Sequence, residues 1–335
     1  MSAGDPQGLS YATTVSRQLV HRAAVCEVFL TDSVRLSDTE FHVAAQLPRV
    51  HSYYSDHAAS PASYDPLLLL EVFRQTSILL THKHLSIPQD SRFVFNSGDL
   101  RVIDTDALRV GPLPGHAVVD AAVVAEKRRD GQLVGVTLEM RLAIDERRAA
   151  SMTMSIQWMP PGVWNGLRER GRAGLDLSSP RPPSVGSRLT PESVGRTSPR
   201  NVVLREAVVL DTEVVAQVEV DQSHPALFDH PLDHIPGALL FEACRQTAVH
   251  AAHELLGLSP RLLTLHRCAA EFTRFGEFEL ATTCRAELVE DPERSALVFE
   301  LQMLQDEAVI STAQIALKCT SPAGQRVVHA AAAAP

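Results

Sequence analysis

Two short patterns in this chain combine an acid, a guanidinium and an amide at helical spacing. Glu71, Arg74 and Gln75 form Glu-x-x-Arg-Gln, and Glu242, Arg245 and Gln246 repeat it further along. On a helix, residues three and four apart are neighbours, so each triplet gathers a carboxylate, a guanidinium and a carboxamide. Desolvation raises the pKa of a buried glutamate, which suits it to general-base work. Glu242 is therefore the candidate base, and Glu71, its repeat partner, is either the catalytic or the structural copy. Arginine offers a two-pronged fork for an anionic group. Arg245 and Arg74 are the candidates for that role, with Gln246 beside them as a substrate contact. The alternative is a plain i, i+3 ion pair in each copy, worth only about 0.2–0.5 kcal/mol on an exposed helix. Repetition of the triplet inside apolar runs favours a functional role.

Histidines precede both triplets. "HSYYSDH" (His51 to His57) and "HPALFDH" (His224 to His230) share H-x-x-x-x-D-H. The second copy continues into Asp233-His234, where His234 is a catalytic candidate that can orient a carboxylate or substrate, or else braces the loop. His224 and Asp233 are further candidate substrate contacts; His51 and His57 read as structural. Cys244 lies two residues from Glu242 on the helix, points away from it and reads as core. There is no Gly-x-Ser-x-Gly elbow and no glycine-rich phosphate loop. The five cysteines contain no C-x-x-C pair. No metal or cofactor is expected, and no covalent enzyme intermediate is called for.

The elements that must position these groups repeat too. "LLLLEVFRQT" (Leu67 to Thr76) and "ALLFEACRQT" (Ala238 to Thr247) lack a wholly polar face, so both helices must be wrapped by other structure. Asp65-Pro66 and Pro236-Gly237 mark their starts. "FHVAAQL" precedes the first helix and "VVAQVEV" the second. After the first come "HAVVDAAVVAEK", "QLVGVTLEMRLAI" and "ASMTMSIQWM"; after the second, "ATTCRAELVE", "ALVFELQMLQ" and "AVISTAQIALK". Short polar turns join them, as between antiparallel neighbours. The fold class is α+β, with each half a long central helix wrapped by a curved antiparallel sheet, the hot-dog arrangement in tandem.

The expected domains are a first repeat over 18–160, a Pro/Gly/Ser/Arg-rich linker over 161–200, a second repeat over 201–320 and a disordered alanine-rich tail over 321–335. A length of 335 residues and 45% hydrophobic content suit such cores. The net charge of −9 argues against a general nucleic-acid or anionic-membrane binder. No apolar run reaches a membrane span and no signal peptide is visible, so a cytoplasmic location is expected.

At "HPALFDHPLDHIPGALLFEACRQTA" the sequence resembles the A-factor synthase (AfsA-type) family of actinobacterial γ-butyrolactone signalling. The match runs through His224, Pro225, Leu227, Phe228, Pro231, Asp233, His234, Pro236, Gly237, Leu239, Leu240, Glu242, Ala243, Arg245 and Gln246. The first repeat meets a related pattern at Asp65, Pro66, Leu67, Leu68, Glu71, Arg74 and Gln75. "FTRFGEF" (Phe272 to Phe278) resembles a further motif, with Phe275 in place of tyrosine. The resemblance implies a tandem double hot-dog acyltransferase. Its β-ketoacyl chain passes from acyl carrier protein to a hydroxyl of dihydroxyacetone phosphate, the first step toward a butyrolactone, butenolide or furan signal that controls secondary metabolism. In that reaction Arg245 binds the phosphate or orients the acyl carbonyl, and Arg274 is a second phosphate candidate, or a surface residue beside Glu271. A homodimer and an internal pseudo-dimer both remain open. Two alternatives are a hot-dog thioesterase or dehydratase acting on acyl carrier protein, and a non-catalytic acyl or lactone binder. Phe228 stands where the dehydratases place their catalytic histidine, which argues against dehydration.

Overall fold

A computed structural model describes residues 8–57, 62–177, 186–291 and 295–319. The chain divides into two units, Met1–Ser55 with Pro61–Arg170, and Asp56–Ser60 with Gly171–Pro335. Each is built on one long apolar helix, as the sequence requires.

In the first unit the elements are β1 (Leu30–Arg35), β2 (Glu40–Leu47), α1 (Pro66–Lys83), β3 (Arg92–Val102), β4 (Gly115–Arg129), β5 (Gln132–Ile144) and β6 (Arg147–Met159). Its strands lie in the order β1-β2-β4-β5-β6-β3, each antiparallel to its neighbours. The Asp65 side chain caps α1 by accepting from the Leu67 amide at 2.9 Å, and Pro66 takes the first turn. Every residue from Leu67 to His82 is buried except Arg74.

A second helix, α2 (Pro161–Arg172), leads into the second unit, which repeats the order of the first: β7 (Leu204–Val209), β8 (Glu213–Val218), α3 (Gly237–Leu256), β9 (Leu263–Phe272), β10 (Thr282–Val289), β11 (Leu297–Gln305) and β12 (Ala308–Cys319). The sheet order is β7-β8-β10-β11-β12-β9, and α3 touches all six strands. From Leu239 to Ala252 every residue is buried except Arg245. The tandem hot-dog expectation is thus met, one helix to one antiparallel sheet in each repeat.

The eight strands read from alternation are present as β2, β4, β5, β6, β8, β10, β11 and β12. Four others, β1, β3, β7 and β9, carry weaker patterns. In β3, Asn96-Ser97-Gly98-Asp99 interrupts the apolar run, and a Cβ on Gly98 would meet Met152 and Phe95 at under 3 Å. Tertiary packing therefore selects both that strand and its glycine. The β5–β6 and β11–β12 turns place Asp145-Glu146 and Asp306-Glu307 at positive φ, the left-handed geometry of tight two-residue hairpins.

The stretch 161–200, expected as a solvated linker, includes more structure than its composition suggests. Pro161–Arg172 is helical and buries Trp164 and Arg168, and Arg196 is fully buried. A glutamate partner, described below, makes that burial affordable. The expected tail, 321–335, lies outside the described residues. Among the described residues no helix is long and apolar enough to cross a membrane.

Candidate functional site

In the second repeat, Glu242 is completely buried on α3 and closely held. Arg196 donates to Oε1 from Nε at 2.9 Å and from Nη2 at 2.8 Å. Gln246 also donates to Oε1, and Arg245 donates to Oε2. Arg196 follows Gly195, whose φ of 72° closes the turn Pro191–Val194. Its Nη1 donates to the backbone oxygen of Asp56 at 2.9 Å. The Asp56 carboxylate accepts from the Thr197 amide and hydroxyl, the Ser198 amide and the Asn201 amide group. Although burial pushes its pKa up, the bonds from Thr197, Asn201 and Ser198, together with Arg196, hold it below the usual carboxylate range.

The first repeat builds the same assembly around Glu71. Arg22 approaches Oε1 at 2.6 Å through Nη2 and 3.0 Å through Nε. Arg74 spans both oxygens, Nε to Oε2 at 2.7 Å and Nη2 to Oε1 at 2.8 Å. Gln75 adds 2.7 Å to Oε1. Burial raises the Glu71 pKa, but Arg22 and Arg74 outweigh it and bring the group down to about 2. The expectation of a carboxylate with a raised pKa, drawn for Glu242, is therefore not met at its repeat partner Glu71. At Glu242 the premise of that expectation, an acid in purely apolar surroundings, is replaced by two guanidinium partners. The i, i+3 ion pairs do form, each reinforced by a second arginine from far upstream.

The glutamines serve as stitches. Gln246 accepts from the Val203 amide at 3.0 Å and donates to the Asn201 carbonyl at 2.7 Å. Gln75 does the same with Phe29 and Glu27, at 3.0 and 2.7 Å. Both ends of the Gln246 carboxamide are thus engaged inside the protein, which argues for a bracing role over substrate contact.

His224 is likewise a brace. Its Nδ1 accepts from the Leu227 amide at 3.1 Å and its Nε2 faces Asn201 Oδ1 at 2.9 Å. Burial, with nearby Arg200, lowers its pKa to about 4, so it is neutral near pH 7. These bonds favour a bracing role for His224 over the expected substrate contact. His51 makes the equivalent bonds in the first repeat, to the Tyr53 and Tyr54 amides and to Glu27.

His234 behaves differently. Its Nδ1 lies 2.6 Å from Asp233 Oδ1, and the side chains are 22% and 52% exposed. A proton on Nδ1 would be donated to that carboxylate, leaving the ring lone pair on Nε2. Phe275 meets the imidazole edge-on at 4.9 Å. The Ile235 amide donates to the Gly276 carbonyl at 2.8 Å, and a Cβ on Gly276 would press on Ile235 at 3.2 Å. The "FTRFGEF" loop and the "HPLDHIPG" loop are therefore packed together, at the start of α3, where Phe241 meets Phe272 at 5.5 Å. Arg274 is exposed on that loop and, among the described residues, pairs with no carboxylate, Glu271 included. Glu277 is buried against Arg172 of α2, which also reaches Glu279 at 2.6 Å.

Cys244 is buried in the core, where a hydrogen bond with Cys284 and desolvation push its thiol pKa up, the opposite of a reactive thiolate. Arg22, Arg196 and Arg172 were missed from the sequence. The faint signal was the repeat itself, extended upstream: Val20-x-Arg22 and Val194-x-Arg196.

A model of the A-factor biosynthesis hotdog domain matches residues 5–160 and 177–321. The chain belongs to this family. Among curated members of the A-factor family, a 2-oxo-3-(phosphooxy)propyl 3-oxoalkanoate synthase from Streptomyces virginiae is 35% identical over 276 residues, 82% of this chain and 87% of the relative. A protein of the same name from Streptomyces coelicolor is 30% identical over 280 residues, 83% of each chain. That name carries the activity the sequence resemblance implied. Among solved structures, a hot dog protein of unknown function from Alicyclobacillus acidocaldarius aligns with a TM-score of 0.50 at 11% identity, covering 90% of this chain and all of its own. That likeness concerns the fold alone.

Proposed function

We propose that this A-factor family member is a 2-oxo-3-(phosphooxy)propyl 3-oxoalkanoate synthase, and that its second repeat is the working site. The observation that carries the reading is kinship: relatives of that name match over most of the chain. A β-ketoacyl group moves from acyl carrier protein to dihydroxyacetone phosphate. The triose hydroxyl oxygen attacks the thioester carbon; a C–O bond forms and the C–S bond breaks. His234 Nε2 takes the hydroxyl proton and returns it to the departing thiolate, leaving an ester phosphate and the free carrier thiol.

His234 is favoured as the base because its imidazole is accessible and oriented by Asp233. Glu242 is disfavoured because guanidinium and amide donors take both its oxygens; its work is to hold Arg245. Arg245 is the one opening in the buried stretch of α3 and receives the triose phosphate, with Arg274 assisting from the neighbouring loop. The Glu71–Arg74 copy braces the first repeat.

Incubation of the purified protein with β-ketoacyl carrier protein, with and without dihydroxyacetone phosphate, tests this reading. The expected result is thiol release that requires the triose phosphate and yields its acyl ester. Thiol release at the same rate without it would overturn the reading in favour of a thioesterase.

A further inference from the structure

The second repeat joins four groups in one chain of contacts. Asp56 gathers the backbone and side chains of Thr197, Ser198 and Asn201 into a turn. That turn carries Arg196, which is buried and bound to the Asp56 carbonyl through Nη1. Arg196 holds Oε1 of Glu242 with two donors, and Oε2 of Glu242 holds Arg245. Arg245 is 12% exposed where its helical neighbours are closed off.

We infer that Arg196 is a positioning residue for the acceptor substrate: it fixes the Glu242 carboxylate, and through it the angle at which the Arg245 guanidinium meets the triose phosphate. The inference rests on the proposal that Arg245 receives that phosphate. A carboxylate without its second arginine can rotate about its side chain and draw the remaining guanidinium with it. A bidentate phosphate contact tolerates little such motion, because the fork must present both donors at once. Lysine keeps the charge but supplies a single ammonium in place of the planar fork, so charge and geometry are separable.

The test compares R196Q, R196K and R245Q with R22Q, which breaks the equivalent contact in the first repeat. All are assayed as full-length protein, with urea midpoints measured alongside. For R196Q the expected result is a KM for dihydroxyacetone phosphate raised by tenfold or more, with the KM for β-ketoacyl carrier protein unchanged. R196K falls between R196Q and the parent. R22Q loses stability comparably but keeps the parental KM. The double variant R196Q/E242Q has no larger effect on KM than the worse single one, since both act through Arg245. If R196Q is too unstable to assay, R196K carries the comparison. An R196K or R196Q protein with parental KM, in a background where R245Q raises it, overturns the inference. An R245Q protein with parental KM overturns instead the proposed role of Arg245.

Discussion

Two nitrogens of Arg196 converge on a single oxygen of Glu242, at 2.9 and 2.8 Å, with both residues buried. The same relationship joins Arg22 to Glu71. In each repeat the acid on the central helix is therefore a fixed anion between two cations. On the proposed reading, proton transfer falls to a group outside the helices, and the following outcomes are expected.

Replacement of the imidazole separates the two roles. H234N lowers kcat by about 10²- to 10⁴-fold, the usual contribution of a general base. Its thermal midpoint stays near the parental value, because the side chain is partly exposed. A variant with full kcat would eliminate His234 as the base.

Acid titration of stability reports on Glu71. Its pKa lies near 2 in the folded protein against an ordinary 4.5. The unfolded chain therefore binds the proton first as pH falls. The stabilisation from this group is complete above pH 4.5 and is lost as pH falls toward 2. E71Q removes that part of the slope, and by leaving two guanidinium groups around a neutral side chain it costs about 3–5 kcal/mol at pH 7. Urea midpoints at pH 7 measure the cost, and midpoints between pH 5 and pH 3 measure the change of slope. Parallel curves for parent and E71Q over the acid range would contradict the lowered pKa.

His224 acts in a higher window. Its folded pKa near 4 lies below the ordinary 6.5, so protonation favours the unfolded chain. Its contribution is present above pH 6.5 and declines as pH falls toward 4. In H224Q the dependence of the urea midpoint on pH over that interval is flatter than in the parent. An NMR titration placing the His224 imidazole near pH 6.5 in the folded protein would refute the buried, neutral assignment.

Asp56 ties down the turn that carries Arg196. D56A removes the acceptor of several donors at once and costs about 2 kcal/mol or more, since hydrogen bonds to a charged group contribute about 1.5–3 kcal/mol each. Amide hydrogen exchange at Thr197 and Ser198 quickens in D56A, a readout that global destabilisation alone would spread evenly over β8 and α3. Uniform quickening across all three would argue against a local anchor.

The sequence by itself determined the repeat, the two buried helices, the eight alternating strands and the family. These are local or periodic properties: apolar runs without a polar face must be wrapped, and period-two alternation marks a half-buried strand. It also put Glu71, Arg74, Glu242 and Arg245 on shared helix faces, because i, i+3 spacing does so in any helix. Only the tertiary structure decided what those residues do. Glu-x-x-Arg-Gln suggested a buried acid with one arginine beside it. Folding brings in Arg22 from 49 residues upstream and Arg196 from 46, so each acid meets a second guanidinium. The composition around Arg196 read as solvated linker, since proline, serine and arginine favour exposure on average; a single charge partner in the core reverses that preference. The histidines divide for the same reason. His224 and His234 lie in one loop, yet burial neutralises the first, while the second meets Asp233 near solvent.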